Sequence, residues 1–243
     1  MFKINKSTYL FILIAVLTAS FIPCIIISTL IIIHELGHFL AAKLMKVEVD
    51  KIYIYPLGGI TKFNLELNSP QIVELIILIF GPIFQIIAYL LLSNILIDYK
   101  ELIKMYHYQI LFFNLLPIYP LDGGKLLNII LSLTSPYKRS INISIIISYI
   151  SLIIIFIYNI KEIKVNIIIM IIFLFYKITR EKNNISSLYE KFLLERYLKK
   201  YQFKDTKIIS NINNFYRNKK HLIKKNDIYY YENDFLSKKY KFF

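Results

Sequence analysis

Two histidines and one glutamate stand at the end of an otherwise apolar run, in the stretch IIIHELGHFL at residues 31–40. His34 and His38 are four residues apart, so on a helix both side chains lie on one face and can share a metal ion. Glu35 adjoins the first histidine and can reach a metal-bound water as a general base. This is the H-E-x-x-H pattern of zinc-dependent hydrolases. Ionisable side chains in an apolar span are costly, so the pattern indicates a functional site rather than two histidines buried for structural reasons.

The composition of the chain is that of a polytopic membrane protein. Of the 243 residues, 56% are hydrophobic and only 19% are charged. Soluble domains of this length are less apolar and carry more charge. The single cysteine, Cys24, excludes a disulfide framework and any cysteine-rich zinc or iron–sulfur site. We therefore expect membrane-spanning helices to position the two histidines.

Apolar runs long enough to cross a bilayer recur along the chain. The stretch between Lys6 and Lys43 is too long for one span of about 20 residues and predicts two, with a turn near residues 20–23. Further apolar runs follow at residues 72–97, 105–121, 141–160 and 165–178. The predicted fold is an all-α polytopic membrane protein of about six transmembrane helices. Residues 1–180 would form the membrane domain, and residues 181–243 a short basic cytoplasmic tail.

The distribution of Lys and Arg predicts the orientation of the chain. With the N-terminus in the cytoplasm, the only lysines left in outer loops are Lys100, Lys104, Lys161 and Lys164. Both termini are then cytoplasmic. The second and fourth spans both descend toward the cytoplasm, so we expect the histidine motif and Asp122 to lie at similar depth.

A catalytic zinc site needs a third protein ligand besides the two histidines. The candidates by residue type are His107, His221, Glu74 and Asp122. His107 is predicted at the outer end of its span and His221 in the soluble tail. Glu74 has an ordinary role at a helix N-terminus. Asp122 is predicted at the same membrane depth as the two histidines, and the two glycines that follow it allow a close backbone approach. We therefore predict Asp122 as the third ligand.

Residues 47–67, with the sequence VEVDKIYIYPLGGITKFNLEL, predict a β-hairpin at the membrane surface. Apolar and polar residues partly alternate, β-branched and aromatic residues are frequent, and Pro56, Gly58 and Gly59 supply a turn. If the zinc-dependent hydrolase pattern at residues 34–38 acts on a helical substrate, that helix must be unwound before its backbone is accessible. We hypothesise that the hairpin captures the unwound substrate as an added strand, with Gly58 and Gly59 among the substrate-binding residues.

A second motif makes the resemblance to a known family specific. The HELGH motif is followed by NLLPIYPLDGGKLL at residues 114–127. Together they resemble the site-2 protease family of intramembrane zinc metalloproteases, which pairs the first motif with N-x-x-P-x-x-x-x-D-G. That second motif falls on Asn114, Pro117, Asp122 and Gly123.

The resemblance implies a role for each matched residue. His34, His38 and Asp122 would bind Zn²⁺. Glu35 would be the catalytic base, and Asn114 would hold or polarise the substrate carbonyl. From the residues alone, Asn114 is equally well explained as a hydrogen-bonding residue between helices.

Within the family, the segments IYPLGG, GPIFQ and PIYPLDGGKLL resemble the stage IV sporulation protein FB branch. That branch releases a sigma factor from a membrane-associated pro-form. The loop between the second and third core spans is too short for the PDZ domain that anti-sigma-cleaving members often carry. The resemblance therefore implies cleavage of a pro-sigma factor near the cytoplasmic face, with inhibitory membrane proteins as partners.

The C-terminal tail is strongly basic. From Lys177 onward there are 17 Lys and Arg against 7 Asp and Glu, which leaves a net charge of +10. This charge favours a cytoplasmic segment that faces anionic lipids, and no direct nucleic-acid partner is expected. The stretch LYEKFLLERYLKK at residues 188–200 predicts a helix that either lies on the bilayer or packs on a small cytoplasmic module. FLLERYL and NNFYRNKKHLI resemble the linker and opening of the ATP-sensing CBS domain of relatives. The rest of that domain is missing or degenerate, so the resemblance gives no basis for nucleotide binding.

Other functions remain open on the sequence. A non-catalytic membrane scaffold could keep a vestigial zinc site, but zinc binding alone does not require Glu35. A membrane zinc protease of another lineage would not be expected to carry the Asn-Pro and Asp-Gly motif around Asp122. Within the site-2 protease family, an anti-sigma factor is the alternative substrate.

Overall fold

The computed structural model of the chain describes residues 2–4, 21–55, 58–161, 165–199, 201–203, 205–226 and 228–240. The chain divides into two compact units. The first unit consists of Met1–Leu65 and Ile72–Asn114, and the second of Glu66–Gln71 and Leu115–Phe243.

Three helices form the frame of the first unit: α1 (Phe21–Leu44), α2 (Gln71–Ile95) and α3 (Lys100–Leu115). They pack through one buried cluster that includes Ile26 and Leu30 of α1, Ala88 of α2 and Ile103 of α3. A second cluster joins α1 to the start of α2 through Ala41, Ala42 and Ile77. Small side chains at these contacts allow α1 and α2 to approach each other closely.

A small sheet accompanies these helices. Strand β2 (Val49–Tyr55) pairs antiparallel with β3 (Gly58–Phe63), and β1 (Phe2–Ile4) pairs parallel with β2, in the order β1-β2-β3. The hairpin predicted from residues 47–67 is therefore confirmed. Residues 56 and 57 of its predicted turn lie outside the described residues.

The second unit contains α4 (Asp122–Thr134), α5 (Tyr137–Tyr158) and α6 (Val165–Leu198). Helix α5 packs against both α4 and α6. It carries three buried serines at successive turns, Ser140, Ser144 and Ser148. Each serine hydroxyl donates to a backbone carbonyl of its own helix, which allows these polar groups to be buried in an otherwise apolar helix.

The C-terminal part of the second unit is a small module on the end of α6. Strand β4 (Asp205–Ile209) runs parallel to β5 (Lys219–Lys225), which pairs antiparallel with β6 (Ile228–Tyr231), and α7 (Glu232–Tyr240) follows. The last turns of α6 are buried at Tyr189, Phe192 and Leu193. Of the two predicted alternatives for residues 188–200, the helix that packs on a small module is the one observed. The sheet itself was not predicted.

Three of the described helices, α1, α2 and α5, are long and apolar enough to cross a membrane. The predicted first span, between residue 6 and residue 20, lies outside the described residues. The predicted run 105–121 is divided, because α3 ends at Leu115 and α4 begins at Asp122. Helix α6 continues without a break through the predicted domain boundary at residue 180. The chain is thus a mostly helical membrane protein with small sheets, and the total of six spans stays a prediction.

Candidate metal centre

Helix α1 places His34 and His38 on one face, as their spacing predicts. Both side chains are buried, and their Nε2 atoms lie 3.1 Å apart. The ring centroids are 4.8 Å apart at an interplanar angle of 80°. Two imidazole nitrogens so close together, away from solvent, can bind one cation between them.

The outer nitrogens of both rings are held by helix α2. Nδ1 of His34 donates to Oε1 of Gln85 at 2.9 Å, and Nδ1 of His38 donates to the carbonyl oxygen of Ile77 at 2.8 Å. These bonds place the proton on Nδ1, so Nε2 is the ring atom of each histidine that carries the lone pair for a metal. Gln85 is itself fixed, because its Nε2 donates to the carbonyl oxygen of His107 at 3.0 Å.

A glycine of α2 keeps the space beside the two rings open. A Cβ atom on Gly81 would lie closer than 3.0 Å to Nε2 of both histidines, so any larger side chain would occupy the space next to the ligand atoms. A Cβ atom on Gly37, within the HELGH motif, would likewise lie closer than 3.0 Å to backbone atoms of Phe80. Both glycines therefore permit the close approach of α1 and α2.

Asp122 is the first residue of α4 and is buried in the second unit. Its Oδ1 lies 3.5 Å from Nζ of Lys125, one turn along the helix. A Cβ atom on Gly123 or Gly124 would lie closer than 3.0 Å to backbone atoms of residues 115–119. The two glycines thus let the preceding loop fold tightly over the start of α4, which is the close approach that the sequence predicts.

One group of His, Cys, Asp and Glu side chains in the described part of the chain could hold a metal ion. It consists of His34, His38 and Asp122, each offering one ligand atom. Two imidazole nitrogens and one carboxylate oxygen suit Zn²⁺ and leave a fourth position for water or substrate. The donor set and the space that Gly81 keeps open therefore fit zinc. That these three residues are the zinc ligands stays a prediction.

The other predicted site residues lie nearby in sequence, and their roles stay predictions. Glu35 is half-buried on α1, directly after His34. Asn114 is half-buried in the last turn of α3. Gly58 and Gly59 lie in β3, paired with Tyr55 and Ile54.

The three residues rejected as ligands are placed elsewhere. His107 is buried on α3 and its ring stacks on Tyr89 with centroids 4.4 Å apart. His221 is buried in the C-terminal module, where it bonds Glu232. Glu74 lies in the first turn of α2, as expected. None of these belongs to the described metal group.

The GPIFQ segment alone predicts no role for Gly81 or Gln85. A signal was present, because a glutamine in an apolar helix is unusual and stands four residues after the glycine, on the same helical face. What the sequence lacked was the partner: nothing in it indicates that Gln85 faces His34.

A buried imidazole pair and an aspartate, with a glutamate beside the first ligand, define a zinc-dependent hydrolase whose ligands lie on helices of a membrane protein. The sequence profile of peptidase family M50 matches residues 22–101 and 92–158, more than half of the chain. The chain belongs to this family and is an intramembrane zinc metalloprotease.

Known relatives agree with this assignment, and a solved structure shares the fold. The chain is 29% identical to stage IV sporulation protein FB of Bacillus subtilis over 205 residues, which cover 80% of this chain and 71% of that protein. It is 27% identical to a zinc metalloprotease of Methanocaldococcus jannaschii over 168 residues, covering 65% of this chain but about half, 48%, of that relative. The structure of a site-2 protease from Methanocaldococcus jannaschii matches with a TM-score of 0.59 at 23% identity. It covers 74% of this chain and 89% of the other, and shows that the two share a fold.

Proposed function

We propose that this metalloprotease cleaves a membrane-associated protein near the cytoplasmic face, and that its substrate is a pro-sigma factor. The observation that carries the catalytic part is the buried group of His34, His38 and Asp122, with Nδ1 of both histidines already bonded. The proposed substrate class is supported by the 29% identity with stage IV sporulation protein FB. An anti-sigma factor is the alternative substrate.

The proposed chemistry assigns one task to each side chain. When bound, zinc supplies Lewis-acid polarisation of the scissile carbonyl and makes water more acidic. The carboxylate of Glu35 takes a proton from the attacking water and returns it to the leaving amine nitrogen. The amide of Asn114 donates to the carbonyl oxygen of the substrate. Gln85 and the carbonyl of Ile77 accept the Nδ1 protons and orient the two imidazoles.

The hairpin would present the substrate as an extended strand. A helical substrate uses its own backbone groups in hydrogen bonds, so the scissile bond becomes accessible only after local unwinding. In the described sheet β2 lies between β1 and β3, so β3 is an edge strand that can accept another strand. Gly58 and Gly59 begin this strand and would contact the substrate backbone.

The proposed topology has six spans and both termini in the cytoplasm. Three candidate spans are found among the described helices, and the remaining three are inferred from the apolar runs of the sequence. The excess of Lys and Arg in the predicted inner loops and tail supports this orientation. Inhibitory membrane proteins and anionic lipids are the partners we propose, with no direct nucleic-acid partner.

The test compares the full chain with its Glu35→Gln variant in zinc content and in cleavage of a membrane-tethered pro-sigma factor. Glu74→Gln is the matched control, because Glu74 is also an acid near the start of a spanning helix but lies outside the metal group. We expect zinc in all three proteins. Cleavage should fall about 10²- to 10⁴-fold in Glu35→Gln alone, because the general base is lost.

Each other outcome changes a different part of the proposal. Near-normal turnover by Glu35→Gln would remove the base assignment. Zinc in every protein without cleavage by the wild type would reject the pro-sigma substrate, and an anti-sigma factor would be tested next. No cleavage of either substrate would favour the non-catalytic scaffold.

A further inference from the structure

A serine in the middle of a spanning helix holds the loop that leads to Asp122. Ser148 lies on α5 and is fully buried, with 0% of its surface exposed. Its Oγ accepts a hydrogen bond from the backbone N–H of Tyr119 at 2.8 Å. Tyr119 belongs to the loop of residues 116–121 that connects α3 to α4, three residues before Asp122.

The loop satisfies most of its other backbone donors locally. The N–H of Ile118 donates to Leu116 at 2.7 Å, and the N–H of Leu121 donates to Ile118 at 2.8 Å. Pro117 and Pro120 have no N–H to donate. The N–H of Tyr119 instead reaches another helix, so the Ser148 bond fixes the loop relative to α5. In an apolar region a backbone donor without such a partner is costly.

The hydroxyl of Ser148 is oriented for this task. Its proton is donated to the carbonyl oxygen of Ser144 at 2.7 Å, which leaves oxygen lone pairs to accept from the N–H of Tyr119. The loop is also tightly connected to α4, because Gly123 and Gly124 have no room for a Cβ against its backbone. A shift of the Tyr119 amide would therefore move the first turn of α4.

We propose that Ser148 is a positioning residue for Asp122, and that its bond to Tyr119 sets the affinity of the metal site. The proposal rests on Asp122 being a zinc ligand. Ser148 acts through the loop backbone and does not contact the metal ligands in any described bond. The loss of such an outer contact typically weakens metal binding about 10- to 100-fold.

The test measures the zinc dissociation constant of the full chain in detergent, by competition with a chelator. The variant is Ser148→Ala, and Ser144→Ala is the matched control. Ser144 lies one turn earlier on the same face and is equally buried, but among the described residues its hydroxyl bonds only the carbonyl of Ser140 in its own helix. Ser148→Thr keeps the hydroxyl and is the conservative variant.

We expect zinc binding about 10- to 100-fold weaker in Ser148→Ala, and unchanged in Ser144→Ala and Ser148→Thr. The zinc-free Ser148→Ala protein should melt somewhat below Ser144→Ala, because only Ser148→Ala leaves the N–H of Tyr119 without its acceptor. Excess zinc should restore the kcat of Ser148→Ala, because the loss is one of metal affinity.

The proposal is overturned if the zinc affinity of Ser148→Ala is unchanged. An equal loss of zinc affinity in Ser148→Thr would also overturn it, because that variant keeps the hydroxyl that accepts from Tyr119. Asp122→Ala in the same assay tests the ligand set separately, since zinc retained by that variant would refute the ligand assignment itself.

Discussion

Residues that are not themselves metal ligands determine whether His34 and His38 can bind a metal ion. Gln85 accepts the Nδ1 proton of His34, and a backbone carbonyl accepts that of His38. The two histidines therefore differ, because only His34 depends on a side chain that can be replaced. Gly81 affects both rings, since a Cβ there would lie beside both Nε2 atoms.

Replacing Gln85 with Leu should weaken zinc binding about 10- to 100-fold, because the Nδ1 proton of His34 would lose its acceptor in a buried site. Gln85→Glu keeps an acceptor oxygen and should bind zinc more tightly than the Leu variant. Chelator competition on the purified chain measures both. Equal zinc affinity in the wild type and the Leu variant would show that this hydrogen bond does not orient His34.

Replacing Gly81 with Ala should remove zinc from the purified protein and abolish cleavage. The added methyl group would lie closer than 3.0 Å to Nε2 of His34 and of His38, and it is attached to helix backbone that cannot easily move. Ile83→Ala is the control, since this side chain of the same helix is exposed. Metal analysis checks the result, and full zinc content in Gly81→Ala would contradict it.

The candidate metal group could be predicted because metal chemistry restricts ligands to a few residue types, and helical spacing puts His34 and His38 on one face. Asp122 followed from the depth of its predicted span. Gln85 and Ser148 were not predictable, because their roles depend on which neighbour each side chain faces. A hydrogen bond across 51 residues, such as that of His34 with Gln85, leaves no mark in the local sequence pattern.

At the scale of elements, the end of α6 holds together parts of the second unit that are far apart in sequence. Arg196 is buried, and its Nε donates to Oδ1 of Asn68 at 2.7 Å. Its Nη1 pairs with Glu232 at 2.9 Å and also donates to the carbonyl oxygen of Lys219 at 2.9 Å. The segment Glu66–Gln71, between β3 and α2, is thereby bound to the C-terminal module.

Removing the guanidinium should therefore destabilise the C-terminal module. Arg196→Met leaves the carboxylate of Glu232 buried without the positive charge of the guanidinium, and breaking a buried ion pair typically costs about 3 to 5 kcal/mol. Lys199→Met is the control, because its ion pair with Glu66 is exposed and should matter far less. Hydrogen exchange of the β5 amides in the full chain gives the opening free energy. Equal protection in the two variants would contradict the expectation.

Two buried groups make the same module sensitive to acid. Burial lowers the pKa of His221, and its Nε2 accepts from the N–H of Tyr216 at 2.9 Å, which requires a neutral ring. Burial alone would raise the pKa of Glu232. The hydrogen bond from His221 and the positive charge of Arg196 outweigh burial and lower that pKa.

Acidification should loosen the module in two stages. An exposed histidine has a pKa of about 6.5. Below that pH the unfolded chain binds a proton that folded His221 does not, so the free energy of unfolding of the module decreases as the pH is lowered. Below the ordinary glutamate pKa of about 4.3, protonation of unfolded Glu232 removes a further part. Exchange of the β5 amides, corrected for intrinsic rates, should show the first stage in the wild type but not in His221→Gln. The same pH dependence in both proteins would exclude His221 as its source.

Elements with a strong local pattern were predictable from the sequence, and the hairpin is an example because its residues alternate around Pro56 and the two glycines. The sheet of the tail was not. The strand KKHLIKK at Lys219–Lys225 shows little alternation of apolar and polar residues. Strands β4 and β5 pair in parallel, and parallel strands are not joined by a tight turn that a sequence pattern could reveal. The end of α3 at Leu115 could not be predicted either, because the run 105–121 is apolar throughout and periodicity does not mark where an apolar helix ends.

For the whole molecule, the distribution of charge is the feature that links catalysis to the bilayer. The tail from Lys177 carries a net charge of +10, whereas α1, α2 and α5 are almost uncharged. Strand β5 contributes three exposed lysines to this excess: Lys220, Lys224 and Lys225. We propose that this surface binds anionic lipid headgroups and keeps the tail at the membrane.

Cleavage in reconstituted vesicles should therefore be faster with phosphatidylglycerol than with phosphatidylcholine alone, and added salt should reduce the difference. Attraction of basic segments to anionic surfaces contributes about 1 kcal/mol per Lys or Arg near the surface, and salt screens it. Changing Lys220, Lys224 and Lys225 together to Gln should remove most of the lipid dependence. The control changes Lys100 and Lys104 to Gln, because these exposed lysines are predicted on the opposite side of the membrane. If the triple variant keeps the full lipid dependence, the lysines of β5 do not bind the membrane.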